Sequence, residues 1–75
     1  MLFRSLAIEL PVEDLVTVRV YDTAGRLVAT PIAERLPPGP TVRIWAPGAL
    51  PRGVYQVWAR IGTTERVRKL VWLGD

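Results

Sequence analysis

The sequence predicts an all-β fold: an immunoglobulin-like antiparallel β-sandwich of about six to seven short strands. Three observations lead there. Runs rich in Val, Ile, Trp and Tyr recur with side chains of alternating polarity, which suits a pleated, half-buried surface. Seven Pro and six Gly cut the 75 residues into short pieces. No stretch holds a 3.6-residue apolar period long enough to stand as a helix. Short strands with turns between them, at a spacing of about 8–12 residues, are the pattern of a sandwich.

Taken in order, the expected strands are Leu6–Leu10, Val16–Tyr21, Leu27–Ile32, Thr41–Trp45, Gly53–Ile61 and Glu65–Leu73. The second places Val16, Val18 and Val20 on one face, with Thr17, Arg19 and Tyr21 on the other. Asp22-Thr23-Ala24-Gly25 closes a hairpin into the third, with Gly25 as the positive-φ residue. Pro37-Pro38-Gly39-Pro40, Pro47-Gly48 and Pro51-Arg52-Gly53 read as turns, where Pro presets φ and Gly supplies positive φ. The fifth strand sets Tyr55, Val57, Ala59 and Ile61 against Gln56, Trp58 and Arg60. Gly62-Thr63-Thr64 turns it into the last strand, which allows two readings. Val67, Lys69 and Val71 share one parity, and Arg68, Leu70 and Trp72 the other. Either Lys69 sits at a core edge, or a bulge shifts the register near Lys69-Leu70.

Length and composition bound the function. Seventy-five residues make one domain, and so short a chain buries only about 60% of its unfolded surface, so the core is thin. Apolar content of 49% beside 23% charged residues is ordinary for a globular chain. No apolar run reaches the roughly 20 residues of a membrane-spanning helix. Nine Arg and one Lys against seven carboxylates give a formal charge of +3. The basic residues Arg19, Arg43, Arg60, Arg66 and Arg68 alternate with apolar ones. That is a solvated strand face, whereas a nucleic-acid surface needs clustered charge with stacking rings.

Catalysis is not expected. The chain has no His and no Cys, and its only Ser is Ser5, so an activated nucleophile with a base beside it is missing. The acids Glu9, Glu13, Asp14, Asp22, Glu34, Glu65 and Asp75 are mostly isolated, with Glu13 and Asp22 the one pair weighed as a calcium site. Gly25 and Gly53 stand alone, so there is no phosphate-cradling loop and no cofactor is expected. Trp45, Trp58 and Trp72 lie on three different strands. They form a sugar-binding platform only if those strands are neighbours presenting one face, and otherwise serve packing.

Residues 1–5 read as a non-native leader. Leu2-Phe3-Arg4-Ser5 is what CTC TTC CGA TCT encodes, the end of a common sequencing adapter. Residues 6–75 are then the tail of a longer protein, with one N-terminal strand of the sandwich lost upstream of Leu6.

Four segments in fixed order carry a family resemblance. They are Val20-Tyr21-Asp22-Thr23-Ala24-Gly25-Arg26-Leu27-Val28, Leu36-Pro37-Pro38-Gly39 followed by Trp45, Leu50-Pro51-Arg52-Gly53-Val54-Tyr55, and Arg68-Lys69-Leu70-Val71. Together they resemble the C-terminal sorting domain (type A, Por secretion system) that Bacteroidetes-type bacteria append to proteins exported by the type IX secretion system. Each segment recurs widely by itself, and the specificity lies in their order and spacing from Leu6 to Leu73. Two departures are the missing Asn-Pro-rich lead and Ala46, where many members carry Asp. The chain is also similar to the immunoglobulin-like module of flagellar hook-assembly proteins.

The resemblance implies a non-catalytic signal fused to an upstream cargo domain. It implies folding in the periplasm, recognition by the outer-membrane translocon, removal by a sortase, and a secreted or cell-surface destination. Carried over residue by residue, it implies that Lys69, Leu70, Val71, Trp72 and Leu73 form the recognised strand. Tyr21, Asp22, Gly25, Gly53 and Tyr55 are then fold-defining. On packing grounds alone, Tyr55 is expected to be a core anchor whose hydroxyl caps a backbone group, as a buried Tyr usually does. A terminal edge strand offers backbone groups that a partner sheet can extend. The alternative is a structural or interaction module, hook-assembly-like or an accessory domain of a secreted enzyme, in which these residues only build the sandwich.

Overall fold

A computed structural model describes residues 4–45 and 50–73. The described residues form six strands and no helix: β1 (Arg4–Leu10), β2 (Asp14–Tyr21), β3 (Leu27–Leu36), β4 (Gly39–Trp45), β5 (Gly53–Ile61) and β6 (Thr64–Trp72). All pairings are antiparallel. A four-stranded sheet of order β3-β2-β5-β6 packs on a two-stranded sheet of β1 and β4. The molecule is a small β-sandwich, as its sequence predicts.

The alternation of β2 explains why it lies in the middle. Val16 and Val20 are fully buried, Val18 nearly so, and these three point at the opposite sheet. The core falls into two groups. Leu10, Val16, Val18, Ile32 and Leu36 pack with Leu6, Ile8, Ala59 and Ile61 at one end. Val20, Tyr55 and Trp72 pack with Val28, Trp45, Leu50 and Leu70 at the other. Between them a gap of about 170 Å³ is lined by Ser5, Leu6, Val18, Val20, Pro31, Trp45, Val57 and Leu70.

Several boundaries differ from expectation, each for a physical reason. β3 runs on to Leu36, through Pro31 and the charged pair Glu34-Arg35. It is an outer strand, where a proline costs no ladder bond on its free side. Its register slips twice against β2: Val18 faces Ile32, Val20 faces Ala29 and Tyr21 faces Leu27. Each slip leaves one extra residue on β3, which is a bulge. β1 begins at Arg4 and so takes in the last two residues of the presumed leader, with Ser5 opposite Ile44. Pro47-Gly48 and Ala46 lie outside the described residues.

Gly25, Gly39 and Gly62 take positive φ, of 83°, 90° and 58°. Gly53 does not, which corrects its reading as a positive-φ turn residue. It opens β5 in extended backbone, opposite Trp72. A Cβ there would meet Tyr55 Cε2 at 4.0 Å, ordinary contact.

The ambiguity in the last strand resolves in neither of the expected ways. Pairing with β5 runs without a slip from Gly53 opposite Trp72 to Ile61 opposite Thr64. Leu70 and Trp72 face inward, so Lys69 lies outward with Val67 and Val71. Arg66 and Arg68 therefore hold inward-parity positions, directly across from Ala59 and Val57.

Candidate functional site

The end of the sheet formed by β2, β5 and β6 gathers most of the residues singled out from the sequence. At its inner side stands a locked corner. The Tyr55 hydroxyl donates to the Pro51 carbonyl at 2.5 Å, and the Trp72 indole Nε1–H donates to the Leu50 carbonyl at 3.1 Å. A buried Tyr or Trp needs such an acceptor, and here each ring ties the incoming Leu50–Arg52 loop to the core. Tyr55 is the core anchor the sequence suggested, and its hydroxyl caps a backbone group four residues upstream, as a tyrosine corner does.

The five-residue segment Lys69–Leu73 is thus not one uniform surface. Leu70 and Trp72 are packing residues of the second core group. Lys69, Val71 and Leu73 are exposed, Leu73 by 72% and beyond the end of β6. β6 is an edge strand of its sheet. The outward row beside it is Tyr21, Gln56 and Lys69, aligned across β2, β5 and β6 by register. Next to it runs the row Arg19, Trp58 and Val67. The Arg19 guanidinium lies 5.1 Å from the Trp58 ring centroid, within cation–π range. Tyr21 therefore sits on the outer face rather than in the core, half-buried in a shallow groove with Arg19, Gln56 and Trp58. The sequence's β2 alternation signals this face, but nothing in it signals the Arg19–Trp58 stack.

Asp22 and Gly25 shape the hairpin beside that groove. Asp22 Oδ1 accepts from the amides of Ala24 and Arg26, both at 2.9 Å, and Oδ2 accepts from Arg26 Nε at 2.9 Å. The Asp22 amide donates to the Arg26 carbonyl, and the Gly25 amide to the Asp22 carbonyl, each at 3.0 Å. The Arg26 amide hydrogen bond, with the Arg26 side chain and the Ala24 amide, holds the Asp22 carboxyl below its ordinary value. Both carboxylate oxygens of Asp22 serve its own turn.

Glu13 and Asp22 stand at opposite ends of β2, with Glu13 paired to Arg35 at 3.6 Å, so they do not converge on a cation. No group of three or more metal-ligating side chains occurs among the described residues. The three tryptophans do not share a face: Trp45 and Trp72 pack in the core group, and Trp58 lies on the outer side. They form no common platform. No helix among the described residues is long and apolar enough to cross a membrane.

Comparison with protein-family models, with curated proteins and with solved structures returns no match.

Proposed function

We propose that this domain is a non-catalytic secretion signal, read at its last strand by the outer-membrane translocon of a type IX system, with a sortase acting afterwards on an upstream cargo. The observation that carries the reading is the position of β6. The strand the family resemblance marks as the signal is an edge strand, with Lys69 and Val71 exposed and Leu73 beyond it. Edge strands are the usual template for pairing with another chain, and exposed alternate side chains then give the specificity. The Trp72 hydrogen bond to the Leu50 carbonyl supports the reading further, because it anchors the end of β6 to the core.

A second reading, an interaction module of the hook-assembly or accessory-domain kind, draws on a different face. Val42 and Ile44 stand side by side on the outer side of β4, exposed by 58% and 67%. Such a pair suits a lateral protein contact.

One experiment separates the two. The whole chain is fused to the C-terminus of a signal-peptide-bearing reporter in a type IX-competent host. Surface reporter is expected, and reporter that stays periplasmic would sink the sorting proposal. Deleting Lys69–Asp75 is expected to abolish export, but it also removes Trp72 from the core. The double variant Lys69→Glu/Val71→Asp leaves Leu70 and Trp72 in place. It is expected to block export while the purified domain keeps its melting temperature. Full export of that variant would assign β6 to packing alone.

A further inference from the structure

The two sheets are unequal, and the wider one is not fully covered. β4 lies over the β3 side, where Arg43 Nη2 bonds Glu34 Oε1 at 2.6 Å. β1 lies over β5, since Leu6 and Ile8 pack in the group that holds Ala59 and Ile61. Among the described residues nothing pairs with the side of β1 away from β4. The inward-parity Arg66 and Arg68 of β6 are exposed, while Leu70 and Trp72 further along the strand are packed. Two hollows join β1 to β6, Ser5 and Leu6 with Leu70 at one end and Glu9 and Leu10 with Thr64 at the other, and they mark out a trough between the free side of β1 and β6. Its floor is graded. Near Leu6 it is apolar, where Val57 and Leu70 line the interior gap. Towards Leu10 it becomes cationic, passing Arg68 and Arg66 before Thr64, which lines a hollow with Leu10 and Ile61.

The two arginines are the informative part. Both occupy positions whose neighbours across the ladder, Val57 and Ala59, are core residues, yet both are exposed. Arg66 Nη1 donates to the Glu65 carbonyl at 2.9 Å and Arg68 Nη1 to the Val67 carbonyl at 3.0 Å. Among the described residues no carboxylate pairs with either. Of the described arginines, Arg26, Arg35 and Arg43 each have an acid and Arg19, Arg52 and Arg60 have none, so what sets Arg66 and Arg68 apart is their inward parity.

We infer that this trough takes up a seventh strand from a partner polypeptide, paired antiparallel to β1, with carboxylates facing Arg66 and Arg68 and apolar side chains facing Leu70 and Val57. Pairing satisfies the free backbone groups of β1. The apolar half fills the gap between the core groups, and the acidic half neutralises the two cations in a partly desolvated place. Charge argues against a second copy as occupant. A β1–β1 pairing about a two-fold axis would set Leu6, Ile8 and Leu10 of one copy against this cationic floor and bring two cationic β6 strands together. The proposal is independent of the sorting reading, which concerns Lys69, Val71 and Leu73.

The test uses the whole chain and a short synthetic peptide whose inward positions are Glu, Glu, Val and Val, with threonines between. A control peptide carries Lys in place of Glu. Binding is followed by amide hydrogen exchange and NMR shifts. The Glu peptide is expected to bind, to protect amides of Ser5–Leu10, and to weaken as salt is raised. Arg66→Gln/Arg68→Gln is expected to lose about tenfold in affinity, as two exposed ion pairs would give. Equal binding of the Lys peptide, or protection confined to the outer side of β6, would overturn the proposal. So would a wild type that ignores the peptide while the double Gln variant self-associates, which would make the arginines guards against edge pairing.

Discussion

Single residues decide the geometry at both ends of the sandwich, and two of them set its response to acid. The Arg26 amide and side chain hold the Asp22 carboxyl below its ordinary 3.8, and the hydrogen bond from Arg43 holds Glu34 below 4.5. A depressed folded value means that the native state favours the charged form. The stabilisation is therefore complete above the ordinary values and is lost as pH falls through the lower folded ones. Urea unfolding midpoints are expected to be flat from pH 7 to about pH 5 and to decline below about pH 4. Asp22→Asn is expected to lower the midpoint at pH 7 and to flatten the acid limb. An unchanged acid limb in that variant would show that the turn carboxylate takes no part. Sequence alone identifies Asp22 as a turn residue, because Asp-x-x-Gly is hairpin chemistry. It does not reveal the Glu34–Arg43 bridge, since nine positions of separation carry no pairing signal until the sheets are stacked.

At the scale of elements, strand existence was legible and strand register was not. Val16-Val18-Val20 and the Gly-rich turns announce their strands because one face is buried and the other wet. β6 was ambiguous because its apolar residues occupy both parities, with Val67 and Val71 outward and Leu70 and Trp72 inward. What resolves it is the unbroken pairing with β5, together with a loop acceptor for Trp72 at Leu50, 22 positions away. The β3 bulges were invisible for a related reason: they are set by the partner strand, not by β3's own pattern. The candidate site divides likewise, Tyr55 being readable as an anchor and Tyr21 as outward from the β2 alternation, and the outward setting of Lys69 only from register. The turns permit a clean comparison. At Gly25, φ is 83° and a Cβ would meet nothing within 4 Å, whereas at Gly62, φ is 58° and a Cβ would fall 2.6 Å from Asp14 Oδ2. Gly25→Ala is expected to cost about 1–2 kcal/mol in backbone strain alone. Gly62→Ala should cost more, because the Asp14 side chain must also move. Thermal or urea unfolding of the two variants reads the difference, and equal losses would mean that Asp14 swings aside freely.

At the scale of the whole molecule, the six strands make an unequal pair of sheets around a divided interior. Among the described residues Val57 alone packs against both core groups. It pairs with Val20 on one side and Arg68 on the other. The two ends of the sandwich are thus held together less by shared packing than by the continuous ladders of β2 and β5. Small domains normally open as one cooperative unit, but cooperativity requires that the parts exchange energy on unfolding. Here that exchange passes through one valine side chain and two backbones. Native-state hydrogen exchange in dilute denaturant is expected to give one common opening free energy for amides of Val16–Val18 and of Tyr55–Val57. In Val57→Ala the two sets should separate, the Leu10–Leu36 end outlasting the Tyr55–Trp72 end. A single residue would then mark the seam between one foldon and two.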